Sequence, residues 1–487
     1  MLTEPGIRPR SRGADVAVDV CVIGGGPAGA VHAIRLAQLG RRVCLIERRP
    51  FPRLQLGESL SPGVRPLLVS IGAAWILDAA GAAPVQSVMR HWGASDTTRA
   101  DPRAEGCVID RGRFDALLLA QARAHGVQVL QPASLCHHER NGSAGWSLTV
   151  ETAQDGIWQM TARLLAFATG RTGGGASRMP ASATLPRTMA LHAYWSGSSL
   201  PREPRIESVQ DGWCWGVPIP GVGYNALVFV DAAVVRGGRG ALDTVYSELL
   251  AQSPLVRPCS RSARLSPTLA CDATPSRAIT CIAPDMIRIG DAALALDPLS
   301  SSGVQKAIQS ALSGAIVVNT LLEHPDRADV AMAAFRRQID DTASRHGRWS
   351  SGHYAAVASD AAATPARPFW TERSRDAVAE VPPPAPDPTL TPATPLVLSP
   401  LATICETGCY GAEFVMERRA VQHPSLEAPV AFVSGHDVVA LLDTLSAAPS
   451  AQALVERWPL PMREGRAVAR WLVQHGILVA QPSARGI

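Results

Sequence analysis

At 487 residues, 46% of them hydrophobic and 18% charged, the chain is long enough for two or three domains around sizeable buried cores. A formal charge of +4 is small for that length and speaks against a nucleic-acid binder. No segment resembles a membrane span, and the apolar stretch after Arg12 is cut by Asp15, Asp19 and a glycine run, which makes a poor signal peptide. The expected location is the cytoplasm. Of the ten cysteines, Cys21 and Cys44 fall in predicted core strands, where buried reduced thiols are expected. Cys405 and Cys409 form C-x-x-x-C, weak ground for a metal or a disulfide, and no metal site is expected. Positive charge is carried almost wholly by arginine, Lys306 being the one lysine.

In chain order, the strongest signal is DVCVIGGGPAGAVHAIRLAQLGRRVCLIER, residues 19 to 48. It reads as a short buried strand through Val20, Val22 and Ile23, then Gly24, Gly26 and Gly29 as G-x-G-x-x-G with Ala28 inside it. A helix to Leu39 and a second strand, Val43 to Ile46, end at Glu47 and Arg48. Gly24 permits the tight turn, Gly26 lets backbone approach a pyrophosphate, and Gly29 lets helix and strand pack closely. The helix N-terminus offers free N–H groups to phosphates, and Glu47 stands where a carboxylate can hold ribose hydroxyls. This fingerprint alone does not separate FAD from NAD.

Farther on, Asp155-Gly156 reads as a hairpin turn between Trp146–Glu151 and Trp158–Phe167. Several strands are expected between residues 188 and 230. Among them DGWCWGVPIPG puts Trp213 and Trp215 on one face and Cys214 on the other, so the two indoles either pack the sheet or line a pocket. MIRIGDAALALDPLSSSGVQKAIQSALSGA, residues 286 to 315, reads as a strand to Gly290, an acid at Asp291 and a loop with Pro298. A helix then opens near Gly303 and Val304, with Ala307, Ile308, Ala311, Leu312 and Ala315 on one stripe. Such an acid can hold a ribityl hydroxyl, and the helix N-terminus can stabilise negative charge on a reduced flavin.

These segments, with GES at 57 to 59, DRGRFDALLLAQARAHGV at 110 to 127 and FATGR at 167 to 171, resemble the flavoprotein monooxygenase superfamily of the p-hydroxybenzoate hydroxylase fold over about residues 17 to 350. The resemblance implies an α/β (α+β) architecture: a Rossmann-like FAD domain, an antiparallel-sheet substrate domain and, beyond them, a winged-helix-like C-terminal domain. It implies FAD, with Arg111 on the flavin side chain or phosphate and Glu47 with Arg48 at the adenosine; otherwise Arg111 is a surface residue at a helix start.

The W-x-W-x-x-P, GES and D-P-x-x-S-x-G segments are similar to flavin-dependent halogenases. In those enzymes a C4a-hydroperoxide yields hypohalous acid that an active-site lysine, shortly after GES, captures. The corresponding APVQSVMRHWGASD, residues 83 to 96, has no lysine, and Arg90 stays protonated and cannot serve as a nucleophilic amine. Lys306 sits at the wrong place in the pattern and reads as a structural or surface residue. A monooxygenase is therefore expected, with molecular oxygen as co-substrate and NAD(P)H or a separate flavin reductase as electron source. Its candidate catalytic residues are Glu58, to orient substrate or move a proton unless it is structural, and Ser301 or Ser302, near the reacting oxygen.

The expected division is an FAD core over 15–355 with its substrate sheet at about 180–278, a Pro/Ala-rich linker or covering segment over 356–405, and a winged-helix-like module over 406–487. Strands at Phe414–Val421, Val430–Val433 and Ile477–Val479 and three short helices make up that module. It reads as a peptide-recognition domain that adds a leader to a sheet edge, or as a packing or dimer contact; its third helix is thin in arginine for DNA. The whole resembles the flavoprotein monooxygenases of quinohemoprotein amine dehydrogenase biogenesis. That resemblance implies hydroxylation of a tryptophan in a peptide or small protein on the way to cysteine tryptophylquinone. A hydroxylase or halogenase of a small aromatic metabolite, a prenyl reductase and an FAD-bearing DNA regulator are the alternatives.

Overall fold

A computed structural model describes residues 16–93, 95–99, 106–142, 145–153, 156–171, 181–183, 186–237, 242–360, 367–375, 377, 391–445 and 449–481. Asp155 of the expected turn, Ala94, and most of the Pro run at 381–395 lie outside the described residues. The chain forms two compact units, residues 1–323 with 342–377, and 324–341 with 378–487.

In the first unit, β1 (Val16–Ile23) leads through a glycine turn into α1 (Pro27–Gln38) and back to β2 (Val43–Ile46). Pro27 opens α1 in its first turn, where a missing N–H costs nothing, and Gly26 at the N-cap makes no side-chain cap. β3 (Met89–Trp92) leaves for the second sheet, and α2 (Arg111–Ala124) is capped by Asp110, which accepts from Gly112 and Arg113 N–H. Then come β4 (Gln128–Leu130), β5 (Trp146–Thr152) and β6 (Gly156–Phe167). β6, β1, β2 and β4 run parallel in that spatial order, while β5 folds back antiparallel on β6 with Thr152 opposite Gly156. Fully buried parallel strands read as continuous apolar runs, as VCVI and VCLI do here. Cys21 and Cys44 are buried free thiols facing one another across β1 and β2.

The second sheet holds β7 (Thr188–Ser196), β8 (Arg205–Val209), β9 (Gly212–Ile219) and β10 (Gly223–Asp231). Its order is β7-β10-β9-β8-β3, antiparallel except for the last pair. Alternation gives it two apolar faces. Leu191, Ala193, Cys214, Ala226 and Val228 pack on Tyr246 and Leu249 of α3 (Leu242–Ala251). Ala190, Trp213, Leu227 and Phe229 face the other way, among Trp92, Tyr354, Phe369 and Trp370. β11 (Leu269–Asp272) extends the sheet beside β7.

The chain then returns to the first sheet with β12 (Met286–Arg288) parallel to β6, and α4 (Gly303–Glu323) packs on α1. At their crossing an added Cβ on Gly314 would lie 3.0 Å from the Ile289 side chain. α5 (Ala328–Ala358) follows. Residues 356–405, expected as linker or covering chain, contain a helical turn, Pro368–Arg373. Its buried Phe369 and Trp370 fill the aromatic core, and Arg373 binds Asp231 at 2.6 Å. Proline and alanine around this aromatic pair hid it in the composition.

The second unit contains β13 (Leu396–Leu398), β14 (Thr403–Tyr410), β15 (Val415–Gln422), α6 (Val438–Leu442), α7 (Ala451–Arg457), α8 (Met462–Gln474) and β16 (Leu478–Ala480). β13 pairs with β16 and β14 with β15. β13 and the start of β14 fall where linker was expected. Cys405 and Cys409 are free thiols of β14. Among the described residues no helix is long and apolar enough to cross a membrane.

Candidate functional site

A cavity of about 1040 Å³ opens between the two sheets of the first unit. Every candidate catalytic or cofactor-binding residue named from the sequence lines it except Gly29 and Ser302. The glycine turn forms one end. Gly24 has φ +109°, and a Cβ there would stand 2.4 Å from the Ala168 carbonyl oxygen. Gly29 lies behind the wall: its Cβ would be 1.8 Å from the Gly24 carbonyl oxygen, so it sets the helix–strand crossing. Glu47 is buried at the end of β2. Its Oε2 accepts from Gly25 N–H at 2.7 Å and its Oε1 from Arg49 N–H and the Arg53 guanidinium. Arg48 lines the cavity beside it.

Arg111, far from being a surface residue, is 6% exposed. It binds Asp115 through two nitrogens at 3.0 and 3.1 Å and the Leu56 carbonyl at 2.8 Å. Burial opposes its charge, yet Asp115 and Glu58 hold its pKa above the usual value. Asp291 sits across the cavity. Lys306 Nζ meets its Oδ1 at 2.7 Å and Arg171 Nε its Oδ2 at 3.3 Å. Burial pushes this carboxyl upward, but the two cations overrule it and its pKa lies below the ordinary value. Lys306 itself is 4% exposed and also donates to the Leu294 carbonyl. The surface alternative for it is thereby excluded.

Pro298, Ser301, Gly303 and Val304 border the cavity at the start of α4. Ser301 holds a left-handed φ of 48°, a conformation that costs a non-glycine residue energy. Ser302 does not line the cavity; its hydroxyl donates to the Ser300 carbonyl at 3.0 Å. The preceding Asp297 is locked by Tyr354 OH and Leu299 N–H, and burial raises its pKa.

The second sheet supplies the opposite wall. Glu58 is buried and receives Tyr194 OH at 3.0 Å, Asn225 Nδ2 at 2.8 Å and Gly57 N–H at 3.0 Å. Burial raises its pKa despite these donors. Trp213 and Trp215 both line the cavity, and Trp213 also stacks on Phe229 at 3.8 Å, so packing and lining coexist. Tyr194, Asn225 and the neighbouring His192 were not singled out from the sequence. Their signal was a polar side chain inside an apolar strand, as in LHAYW and YNALVFV.

Two family models match this chain: the FAD dependent oxidoreductase model over residues 19–173 and the tryptophan halogenase model over residues 106–382. A tryptophan 2-halogenase from Chondromyces crocatus is 30% identical over 62% of this chain and 61% of its own length. The chain spans 61% to 65% of the first curated relatives it matches. Among solved structures, the flavin-dependent halogenase CmlS superposes with a TM-score of 0.76 over 97% of each chain at 21% identity, a likeness of fold. The peptidyl tryptophan dihydroxylase QhpG, essential for tryptophylquinone cofactor biogenesis, superposes with a TM-score of 0.71 at 26% identity. That match covers 95% of this chain and all of QhpG. The flavoprotein monooxygenase and halogenase resemblance drawn from the motifs is borne out.

Proposed function

The chain belongs to the tryptophan halogenase family of FAD-dependent enzymes, and from that premise we propose that it is a monooxygenase that hydroxylates a tryptophan side chain in a peptide or small protein, as a step of quinone cofactor formation. One observation supports hydroxylation over halogenation. The chain's one lysine is itself buried and ion-paired with Asp291, and no lysine lines the cavity.

The residues present fit FAD. The open N-terminus of α1 with Gly24 and Gly26 would receive the pyrophosphate, Glu47 and Arg48 the adenosine ribose, and Arg111 and Asp291 the flavin side chain. Bound and reduced, FAD supplies two electrons to dioxygen; NAD(P)H or a separate reductase would renew them. The protein's share is placement and exclusion of water. Trp213, Trp215 and Phe229 offer flat apolar faces to an aromatic ring, and Glu58, fixed by Tyr194 and Asn225, anchors the polar edge of that wall. Ser301, at the edge of the cavity, is the candidate to hydrogen-bond the reacting oxygen. The overlap with QhpG over nearly the whole chain supports a peptide substrate.

Halogenation is the second reading, favoured by the Chondromyces relative at 30% identity. The test is mass spectrometry of a tryptophan-bearing peptide, and of free tryptophan, after incubation with the protein, FAD, a reductant, oxygen and bromide. Oxygen added to the peptide with no bromine is the expected result. A bromine isotope pattern would overturn hydroxylation, and turnover of free tryptophan alone would overturn the peptide substrate.

A further inference from the structure

A buried carboxylate at the turn bordering the cavity has no part in the function proposed above. Asp297 is 7% exposed and caps the turn Pro298–Ser300, its Oδ1 accepting from Leu299 N–H at 3.0 Å. The turn ends at Ser301, left-handed and on the cavity edge. Capping needs no partner from elsewhere in the chain. Yet Tyr354 OH, 57 residues on in α5, also donates to both carboxylate oxygens, at 3.1 and 3.0 Å. Tyr354 is itself 1% exposed and opens a series of packed rings. Its ring centroid lies 5.8 Å from that of Trp370, Trp370 lies 5.5 Å from Trp92, and Trp92 6.3 Å from Trp213 on the cavity wall. Trp92 Nε1 donates to the carbonyl of His353, beside Tyr354, at 2.9 Å, and Trp370 Nε1 to that of Gln210 at 3.2 Å. The indole that lines the cavity and the turn that borders it are thus fixed to one aromatic block.

We propose that Tyr354 and Asp297 are positioning residues of the oxygenation: they hold the Ser301 turn against the aromatic wall, so that oxygen reaches the substrate ring before it is lost as hydrogen peroxide. This rests on the hydroxylase reading. In the productive course dioxygen takes the two electrons of reduced FAD. One oxygen atom bonds to a ring carbon, whose hydrogen leaves as a proton, and the other oxygen leaves as water. In the unproductive course the same two electrons, with two protons, release both oxygens together as hydrogen peroxide. Distance decides between them, because reacting atoms must come within about 3–3.5 Å and a misplacement of about 1 Å costs on the order of 100-fold. The turn's own amide bonds, Ser300 to the Asp297 carbonyl and Ser301 to that of Pro298, run within the turn and do not fix it to the wall. Leu299 adds apolar packing on the same aromatic core, and the Tyr354 hydroxyl supplies the directional bond.

The test compares full-length wild type with Y354F, which removes one oxygen and keeps the ring, and D297N, which keeps an acceptor for Tyr354 and Leu299. Y246F is the control. Tyr246 OH donates to the Ala226 carbonyl at 2.9 Å on the other face of the sheet, so this variant loses a buried hydroxyl of the same kind away from the turn. Amide hydrogen exchange of the turn, read by mass spectrometry without cofactor, should quicken about 10-fold in Y354F alone. With FAD, a reductant, oxygen and a tryptophan peptide, Y354F should yield about 10-fold less oxygenated peptide per electron pair, the difference appearing as hydrogen peroxide. Its FAD affinity and peptide KM should stay close to those of wild type. D297N and Y246F should match wild type in exchange and in product. Unchanged exchange in Y354F, an unchanged split between product and peroxide, or uncoupling in D297N or Y246F as large as in Y354F would overturn the assignment. Wild type that binds FAD yet yields no oxygenated peptide would instead overturn the hydroxylase reading, and this inference with it, whatever the exchange shows.

Discussion

Each wall of the cavity carries a carboxylate, Asp291 partly exposed and Glu58 buried, and the chain treats them in opposite ways. Asp291, on the cofactor wall, is pinned between Lys306 and Arg171 and held below the usual carboxylate range. Glu58, against the sheet wall, is met by the uncharged donors Tyr194, Asn225 and the Gly57 amide, and burial carries it upward. Opposite charges hold the first carboxyl in its ionised form, while burial favours the neutral form of the second, so the two walls differ in electrostatic character.

The hardest way to break that contrast is through the glycine turn. Gly29→Ala places a methyl group 1.8 Å from the Gly24 carbonyl oxygen, a contact only backbone movement can relieve. FAD affinity should fall at least about 100-fold, or roughly 2.7 kcal/mol, and the purified protein should lack flavin absorbance. An alanine variant that retains full flavin would mean that α1 is not docked on β1 as closely as described.

Next in size is Lys306→Met, which leaves the partly exposed Asp291 with Arg171 alone. Removing one partner of a fully buried pair costs about 3–5 kcal/mol; solvent at Asp291 should bring the loss to about 2 kcal/mol, readable as a shift of the urea midpoint, and Lys306→Arg should recover part of it. The comparable change on the other wall, Glu58→Gln, keeps an acceptor for Tyr194 and Asn225 and should cost far less at neutral pH. Equal losses would erase the distinction between the walls.

Legibility in the sequence follows the same division. The cofactor wall is written in two contiguous stretches, because a glycine turn and a helix N-terminus bind phosphate through neighbouring backbone groups. Gly24, Glu47, Asp291 and Val304 could be found by spacing alone. The sheet wall is assembled from alternate residues of strands far apart in the chain: His192, Trp213, Asn225 and Glu58 meet only after β7, β9 and β10 pair. No local pattern links them. The left-handed turn at Ser301 and the bond from the Ser302 hydroxyl to the Ser300 carbonyl are local geometry that residue types alone do not spell out. In the second unit, short strands such as β13 pair with residues some eighty positions away, which composition does not reveal.

The smallest effect is the most discriminating, because each half of the first unit also buries a histidine. His32 on α1 meets the Ala311 carbonyl at 2.9 Å, and burial takes its pKa to about 4, as it does for His192. Both lie below the ordinary 6.5, so between those values the unfolded chain binds protons that the folded chain refuses. Stability is therefore present above about pH 6.5 and is lost as pH falls toward 4, on the order of 3 kcal/mol per ring, with about 2 of that gone by pH 5. Glu58, shifted the other way, loses its share as pH rises and cannot mimic this slope. Urea midpoints at pH 7 and pH 5 should show each single variant, His32→Gln or His192→Gln, losing a clear share of the histidine-linked slope, with His138 and His346, also lowered by burial, supplying a smaller part. If His32→Gln flattens the curve and His192→Gln does not, the cavity-wall ring is hydrated and already accepts protons near pH 6.5. The sheet wall would then be wet.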